Sequence, residues 1–301
     1  MGAGHEDPAE EESMHHDRIG HTGITWPKDP IDQVVAEVAA LGYAAFETFA
    51  FAVERYPGGP AAFRELIDRH GLVFPSAYCY ASFIDPGTRQ ADIARMVGQA
   101  RTIRAIGGTV AVLGATGKEK ESYTADQYRG MVETLNEIGR RNQDLGVTTT
   151  FHPHTGTPVE TREEIDRVMS GVDPRYVGFA PDTGQIQKGG SDAVDVLRTY
   201  LPLVRHVHLK DWMGGVLQHT PDGQEVDRSG YADYVPVGSG VVDVPRIVAL
   251  LDGAGYDGWW MVELDGSDRA PRPPREAAAM SKHYLDGLIA GADGPHRVSS
   301  Q

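Results

Sequence analysis

The chain has 301 residues, 40% of them hydrophobic, and carries 28 Lys and Arg against 43 Asp and Glu, a formal charge of −15. That is enough apolar material for one large core, while the acidic balance excludes a nucleic-acid surface, which needs a basic stripe to meet phosphates, and disfavours an anionic membrane. Cys79 is the one cysteine, so no intrachain disulfide can form, and no apolar run reaches the length of a membrane span; a reducing, cytoplasmic setting is the expectation.

The first residues, MGAGHEDPAEEESMHHD, lack the basic start and apolar stretch of a signal peptide. Residues 1–18 read as a disordered acidic tail, 19–291 as one domain and 292–301 as a polar C-terminal tail. From residue 19 apolar segments alternate with helical patterns. Strand one spans 19–26. Ile31, Val34, Val35 and Val38 then recur at helical spacing, and Gly42 ends that helix. Strand two is 44–50, with a helix at 60–70. Strand three is 73–81, with a helix at 90–106. Strand four is 108–115, and Thr124 with Gln127 forms a capping-box start for a helix to Leu145.

The second half repeats the rhythm. Strand five is 147–154, followed by a second capping box at Thr161 and Glu164. Strand six is 176–182, with a helix at 192–203. Strand seven is 204–211, and a long loop runs from Trp212 to Gly240, read as a lid or an oligomer contact. Asp243 caps the next helix, with Pro245 in its first turn. Strand eight is 258–265 and the last helix 275–290. Eight strand–helix units in about 270 residues predict an α/β fold closed as a (β/α)8 barrel. The alternative, an open doubly wound sheet, lacks its glycine fingerprint after strand one.

In such a barrel the active site lies at the C-terminal strand ends. Those ends carry Glu47, His152 and His154, Asp182, the set His206, His208, Lys210 and Asp211, and Glu263 with Asp265. Burying these groups without partners is costly, and a divalent cation relieves the cost. Each residue also has a plainer explanation: a strand histidine is commonly a hydrogen-bonded structural group, Asp182 and Asp211 fit turn caps, and Glu47 fits a pair with an arginine. Agreement among four strand ends favours a metal site. Trp26, Tyr78, Tyr80, Trp212 and Trp260 fall near the rim, where they fit either a polyol pocket or core packing, and Cys79 reads as a small buried hydrophobe.

The segments His152-Pro-His-Thr-Gly-Thr, Pro181-Asp-Thr-Gly-Gln185, His206-Val-His-Leu-Lys-Asp211, Gly238-Ser-Gly240 and Gly255-Tyr-Asp-Gly-Trp-Trp-Met-Val-Glu263 resemble the inosose dehydratase (2-keto-myo-inositol dehydratase) family. This family lies in the sugar phosphate isomerase/epimerase superfamily with its xylose isomerase-like TIM barrel. The resemblance is strong from about residue 130 to 290. It implies a metal held by His152, Asp182, His208 and Glu263, with Mn²⁺ the first expectation and Zn²⁺, Co²⁺ or Fe²⁺ as alternatives. His152 stands where many relatives have Glu, which leaves Glu263 alone of the glutamate pair that a two-base epimerase uses. The resemblance therefore implies a metal-dependent lyase that eliminates water from a keto-cyclitol or keto-sugar. His154, Glu263 and Lys210 are the catalytic candidates, and Glu47 and Trp26 the substrate contacts. The alternatives are a ketose isomerase or epimerase on the same site, and the catalytic subunit of a C-glycoside deglycosidase. The expected partners are a small polyol or keto-sugar, a second copy of the chain and, in the deglycosidase case, a second subunit type. A DNA-repair endonuclease on this barrel conflicts with the charge of −15.

Overall fold

The computed structural model describes residues 18–118, 122–214, 232–266 and 272–292. The expected tails and most of the long loop after Trp212 lie outside these residues. Eight strands form one parallel sheet: β1 (Ile19–Thr22), β2 (Ala45–Phe49), β3 (Ser76–Ala81), β4 (Val110–Ala115), β5 (Thr148–His152), β6 (Val177–Phe179), β7 (Val207–Leu209) and β10 (Trp260–Val262). Between β7 and β10 lies a separate antiparallel pair, β8 (Asp211–Trp212) and β9 (Tyr234–Val235). The parallel order is β6-β5-β4-β3-β2-β1-β10-β7, so the first and last strands pair. The remaining gap, between β6 and β7, is crossed by isolated parallel bridges, Phe179 with Val204 and Asp182 with His208. The sheet thus curls into a barrel, with its helices outside.

The helices follow their apolar stripes. α1 (Ile31–Ala40) buries Val34, Val35 and Val38 and stops before Gly42, which adopts φ +80°. α3 (Gly59–Arg69) and α4 (Arg89–Ala105) follow β2 and β3. α5 (Ala125–Gln143) and α6 (Arg162–Met169) both open with complete capping boxes, at Thr124 and Thr161. α8 (Ala193–Tyr200) follows β6, α9 (Val244–Gly253) starts at Asp243, whose side chain accepts from Arg246 N–H, and α10 (Pro274–Ala292) closes the ring. One continuous cluster of buried apolar residues joins strands and helices.

Two helices add to the expected order. α2 (Ala50–Glu54) grows directly from the end of β2, and α7 (Thr183–Lys188) from the end of β6. The strands are also shorter than the apolar runs, because those runs continue into rim segments that leave the ladder. Strand one ends at Thr22 and turns through a short 3₁₀ segment at Gly23–Thr25.

Candidate active site and metal centre

The strand ends bring their ionisable groups together at one rim. On β7 and at either end of it, His206, His208 and Lys210 are all buried. Their partners come from other strands. The His208 Nδ1 atom lies 2.7 Å from Glu263 Oε2, and its Nε2 lies 2.8 Å from Glu47 Oε1. The Lys210 ammonium contacts Glu263 Oε1 at 2.6 Å, Asp265 Oδ2 at 2.7 Å and Asp182 Oδ2 at 2.9 Å. Its stem is covered by Gly184 of α7, where a side chain would collide with it.

Asp182 is both a cap and a site residue. Oδ1 accepts from Gln185 N–H at 2.9 Å and starts α7, while Oδ2 faces Lys210. His152 Nε2 stands 3.9 Å from that same Oδ2. This is too long for a hydrogen bond, and it falls in the roughly 3–4 Å spacing between ligand atoms that sit about 2.1 Å from a common ion. Donor atoms of His152, Asp182 and His208 all lie within 4.8 Å of one another. Both nitrogens of His208, Nδ1 of His152 and Oδ2 of Asp182 are buried without a hydrogen bond of good geometry. Glu47, His206 and His208 make a second close group, but there Glu47 Oε2 accepts from His206 Nε2 at 2.8 Å and from the Ser76 hydroxyl. That group is hydrogen-bonded within itself, with Glu47 Oε1 left as the charge partner of His208.

Charge points to a cation as well. Three carboxylates, Asp182, Glu263 and Asp265, converge on one ammonium, and a fourth, Glu47, meets His208. Burial alone would raise the Glu263 carboxyl, but Lys210 and His208 outweigh it and hold it well below the usual range. Burial would likewise lower Lys210, yet Asp182, Asp265 and Glu263 hold it well above its ordinary value. Burial, helped by neighbouring His208, pushes the His152 imidazole down and keeps it neutral, the form that ligates a metal. Two imidazoles and one carboxylate, His152, His208 and Asp182, come close enough together to fit a first-row divalent ion, which would displace the proton that Glu263 and Glu47 hold on His208.

The family described as the xylose isomerase-like TIM barrel matches residues 35–285. An inosose dehydratase of Klebsiella pneumoniae strain 342 is 30% identical over 288 residues, 89% of this chain and 94% of that protein. The chain belongs to the xylose isomerase-like TIM barrel family, among the inosose dehydratases. A second such relative, from Geobacillus kaustophilus, is 29% identical and covers 93% of this chain and 97% of its own. Among solved structures, a barrel of the same family from Mycobacterium smegmatis, in complex with magnesium, superposes with a TM-score of 0.70. It is 16% identical and covers 91% of this chain and 97% of its own, which establishes the shared fold.

The family rim encloses a cavity of about 70 Å³, lined by Thr22, Ile24, Glu47, Thr48, Phe49, Tyr78, His152, His154, Glu263 and Asp265. His154 is held at both ring nitrogens. Nδ1 donates to Thr155 O at 2.7 Å, and Nε2 faces the Gln185 amide nitrogen at 2.8 Å. Glu47 lines the cavity with both oxygens already engaged by Ser76, His206 and His208. Trp26 does not line it: past the 3₁₀ turn, its indole N–H donates to Glu37 on α1 at 2.9 Å. Asp211 accepts from the backbone N–H groups of Trp212, Gly238, Gly240 and Val242 and so ties both ends of the long loop, the turn-capping role open to it from its sequence.

Sequence reasoning gave no role to Gln185 and Tyr234. The Gln185 amide oxygen accepts from Thr155 and from Tyr234 at 2.5 Å, and its nitrogen donates to Asp265 at 3.1 Å. The three-residue step from the Asp182 cap was the one available signal for Gln185. Tyr234 arrives on β9 from the long loop, where no periodicity places it.

Proposed function

We propose that the protein is a carbon–oxygen lyase that removes water from a keto-cyclitol. The observation that carries this reading is the convergence of His152, Asp182 and His208 beside the Lys210–Glu263 pair at the rim of an inosose dehydratase-family barrel. His152, Asp182, His208 and Glu263 would hold the ion, with Mn²⁺ the first choice. When bound, such an ion polarises a carbonyl and steadies the negative charge of an enediolate.

The residues of the chain supply the rest. His154 keeps its proton on Nδ1 against Thr155 O, so Nε2 is the nitrogen that takes the proton next to the carbonyl once the Gln185 amide gives way. Lys210, a fixed cation, orients Glu263 and Asp265 and favours anionic oxygen nearby. The rim cavity of about 70 Å³ opens beside His152, His154 and Glu263, where a six-carbon ring would lie. The reading takes residues 19–291 as one catalytic barrel of a cytoplasmic, self-associating enzyme. Among the described residues no helix is long and apolar enough to cross a membrane.

The test is incubation with Mn²⁺ and 2-keto-myo-inositol in D₂O. An unsaturated or dione product absorbing in the ultraviolet is expected, with deuterium only beside the carbonyl and activity lost on chelation. Clean interconversion of epimers without elimination would assign an isomerase instead. Release of an aglycone from a keto-glycoside alone would assign a deglycosidase.

A further inference from the structure

Dehydration moves two protons, one off carbon and one onto the departing oxygen, because hydroxide is a poor leaving group. Most polar groups around the cavity have no proton to give. Glu47 accepts from Ser76 and His206, and Glu263 and Asp265 accept from Lys210. Lys210 spends its ammonium on three carboxylates, and His154 gives its Nδ1 proton to Thr155 O. Thr22 Oγ1 is unpartnered, but an aliphatic alcohol is too weak an acid.

Tyr78 differs. It stands on β3 and lines the cavity, and its ring meets His152 edge-on at 5.2 Å between centroids. Its hydroxyl has no hydrogen-bond partner among the described residues. The space it occupies is also specified by the fold. Tyr78 pairs with Val112 across β3 and β4, and two residues further along β4 lies Gly114, where a Cβ would collide with the phenol oxygen. Gly114 in turn pairs with His152 in the β4–β5 register. Three adjacent strands thus set a phenol O–H, a glycine gap and a site imidazole side by side. Packing alone would be served as well by phenylalanine.

We infer that Tyr78 is the acid of the elimination: its phenol O–H protonates the hydroxyl that departs. This rests on the dehydratase reading. The base takes the proton beside the carbonyl, and that C–H electron pair becomes the new C=C bond. The C–O bond breaks with its own pair, and the oxygen leaves as water with the phenol proton. The phenolate regains a proton from solvent and the base returns one, so the enzyme ends unchanged.

Tyr78→Phe keeps the ring and removes only the acid. With 2-keto-myo-inositol in D₂O, the variant should exchange the proton beside the carbonyl within about threefold of the wild-type rate. Water loss should fall by about 10²–10⁴-fold, with KM changed far less than kcat. An analogue with fluorine in place of the departing hydroxyl needs little protonation, so the variant should eliminate fluoride at close to the wild-type rate. Full water loss by Tyr78→Phe, or equal loss of exchange, water elimination and fluoride elimination in a folded variant, would overturn the assignment. A wild-type protein that neither exchanges nor eliminates would overturn the dehydratase reading itself, and the tyrosine's role with it.

Discussion

At Asp182 the two carboxylate oxygens face different structures, and a substitution can separate them. Asp182→Asn keeps an oxygen for the Gln185 N–H and so keeps the α7 cap, but it loses the charge that faces Lys210 and His152. The expected result is a folded protein, by circular dichroism, that retains no divalent ion after dialysis and has lost activity at least 100-fold. Asp182→Ala should lose the ion and, with the cap, about 1 kcal/mol of stability as well. His21 makes a pH prediction. Buried on β1, with Nδ1 donating to Thr22 O at 2.8 Å, its imidazole is pushed by desolvation from 6.5 down to about 4. Between those values the unfolded chain binds a proton that the folded chain refuses. Stability is therefore untouched above pH 6.5 and falls as pH drops toward 4, by at most roughly 3 kcal/mol. Urea midpoints at pH 7.5 and 5.0 check this: His21→Phe should lose less stability on acidification than the wild type.

Capped helices offer a prediction at the scale of the element. α6 begins at Thr161, whose side chain accepts from Glu164 N–H while the Glu164 carboxylate accepts from Thr161 N–H at 2.9 Å. Thr161→Ala should cost about 1 kcal/mol in urea unfolding, and Thr161→Gly only a few tenths. These capping boxes were legible because their partners lie three residues apart in the chain. So were the eight strand–helix units, because apolar spacing and β-branched runs are local signals. The unanticipated elements lack apolar spacing of that kind. α2 starts at Ala50 with no turn residue after Phe49, and α7 has six residues, one of them Gly184. The rim histidines and carboxylates were legible from their strand ends. The pairing of Tyr78 with Gly114 was not, because it needs the β3–β4 register, and Trp26 was misplaced because the strand ended four residues before it.

For the whole molecule, the barrel gathers Asp182, Glu263 and Asp265 around Lys210, with Glu47 against His208, within a chain of net charge −15. A divalent ion that neutralises the cluster binds the folded state and has no comparable site in the unfolded one. At 100 times its dissociation constant it should add about 2.7 kcal/mol of stability. Thermal unfolding should therefore shift upward by several degrees when Mn²⁺ is added to chelator-treated protein. His208→Ala should abolish the shift, and a shift of equal size in that variant would place the ion elsewhere.

The barrel is not equally knit around its circumference. β3 and β4 share a ladder from Ser76–Val110 to Ala81–Ala115, whereas β6 and β7 meet through little more than Arg205 N–H to Phe179 O and His208 N–H to Pro181 O, both 3.0 Å. Asp182 and His208 stand on opposite lips of that seam. An ion held by both would act as a rivet, so the cofactor would serve the hoop as well as the reaction. Hydrogen–deuterium exchange should then find the Arg205 and His208 amides opening early in metal-free protein and slowing sharply with Mn²⁺, while amides of the β3–β4 ladder scarcely respond.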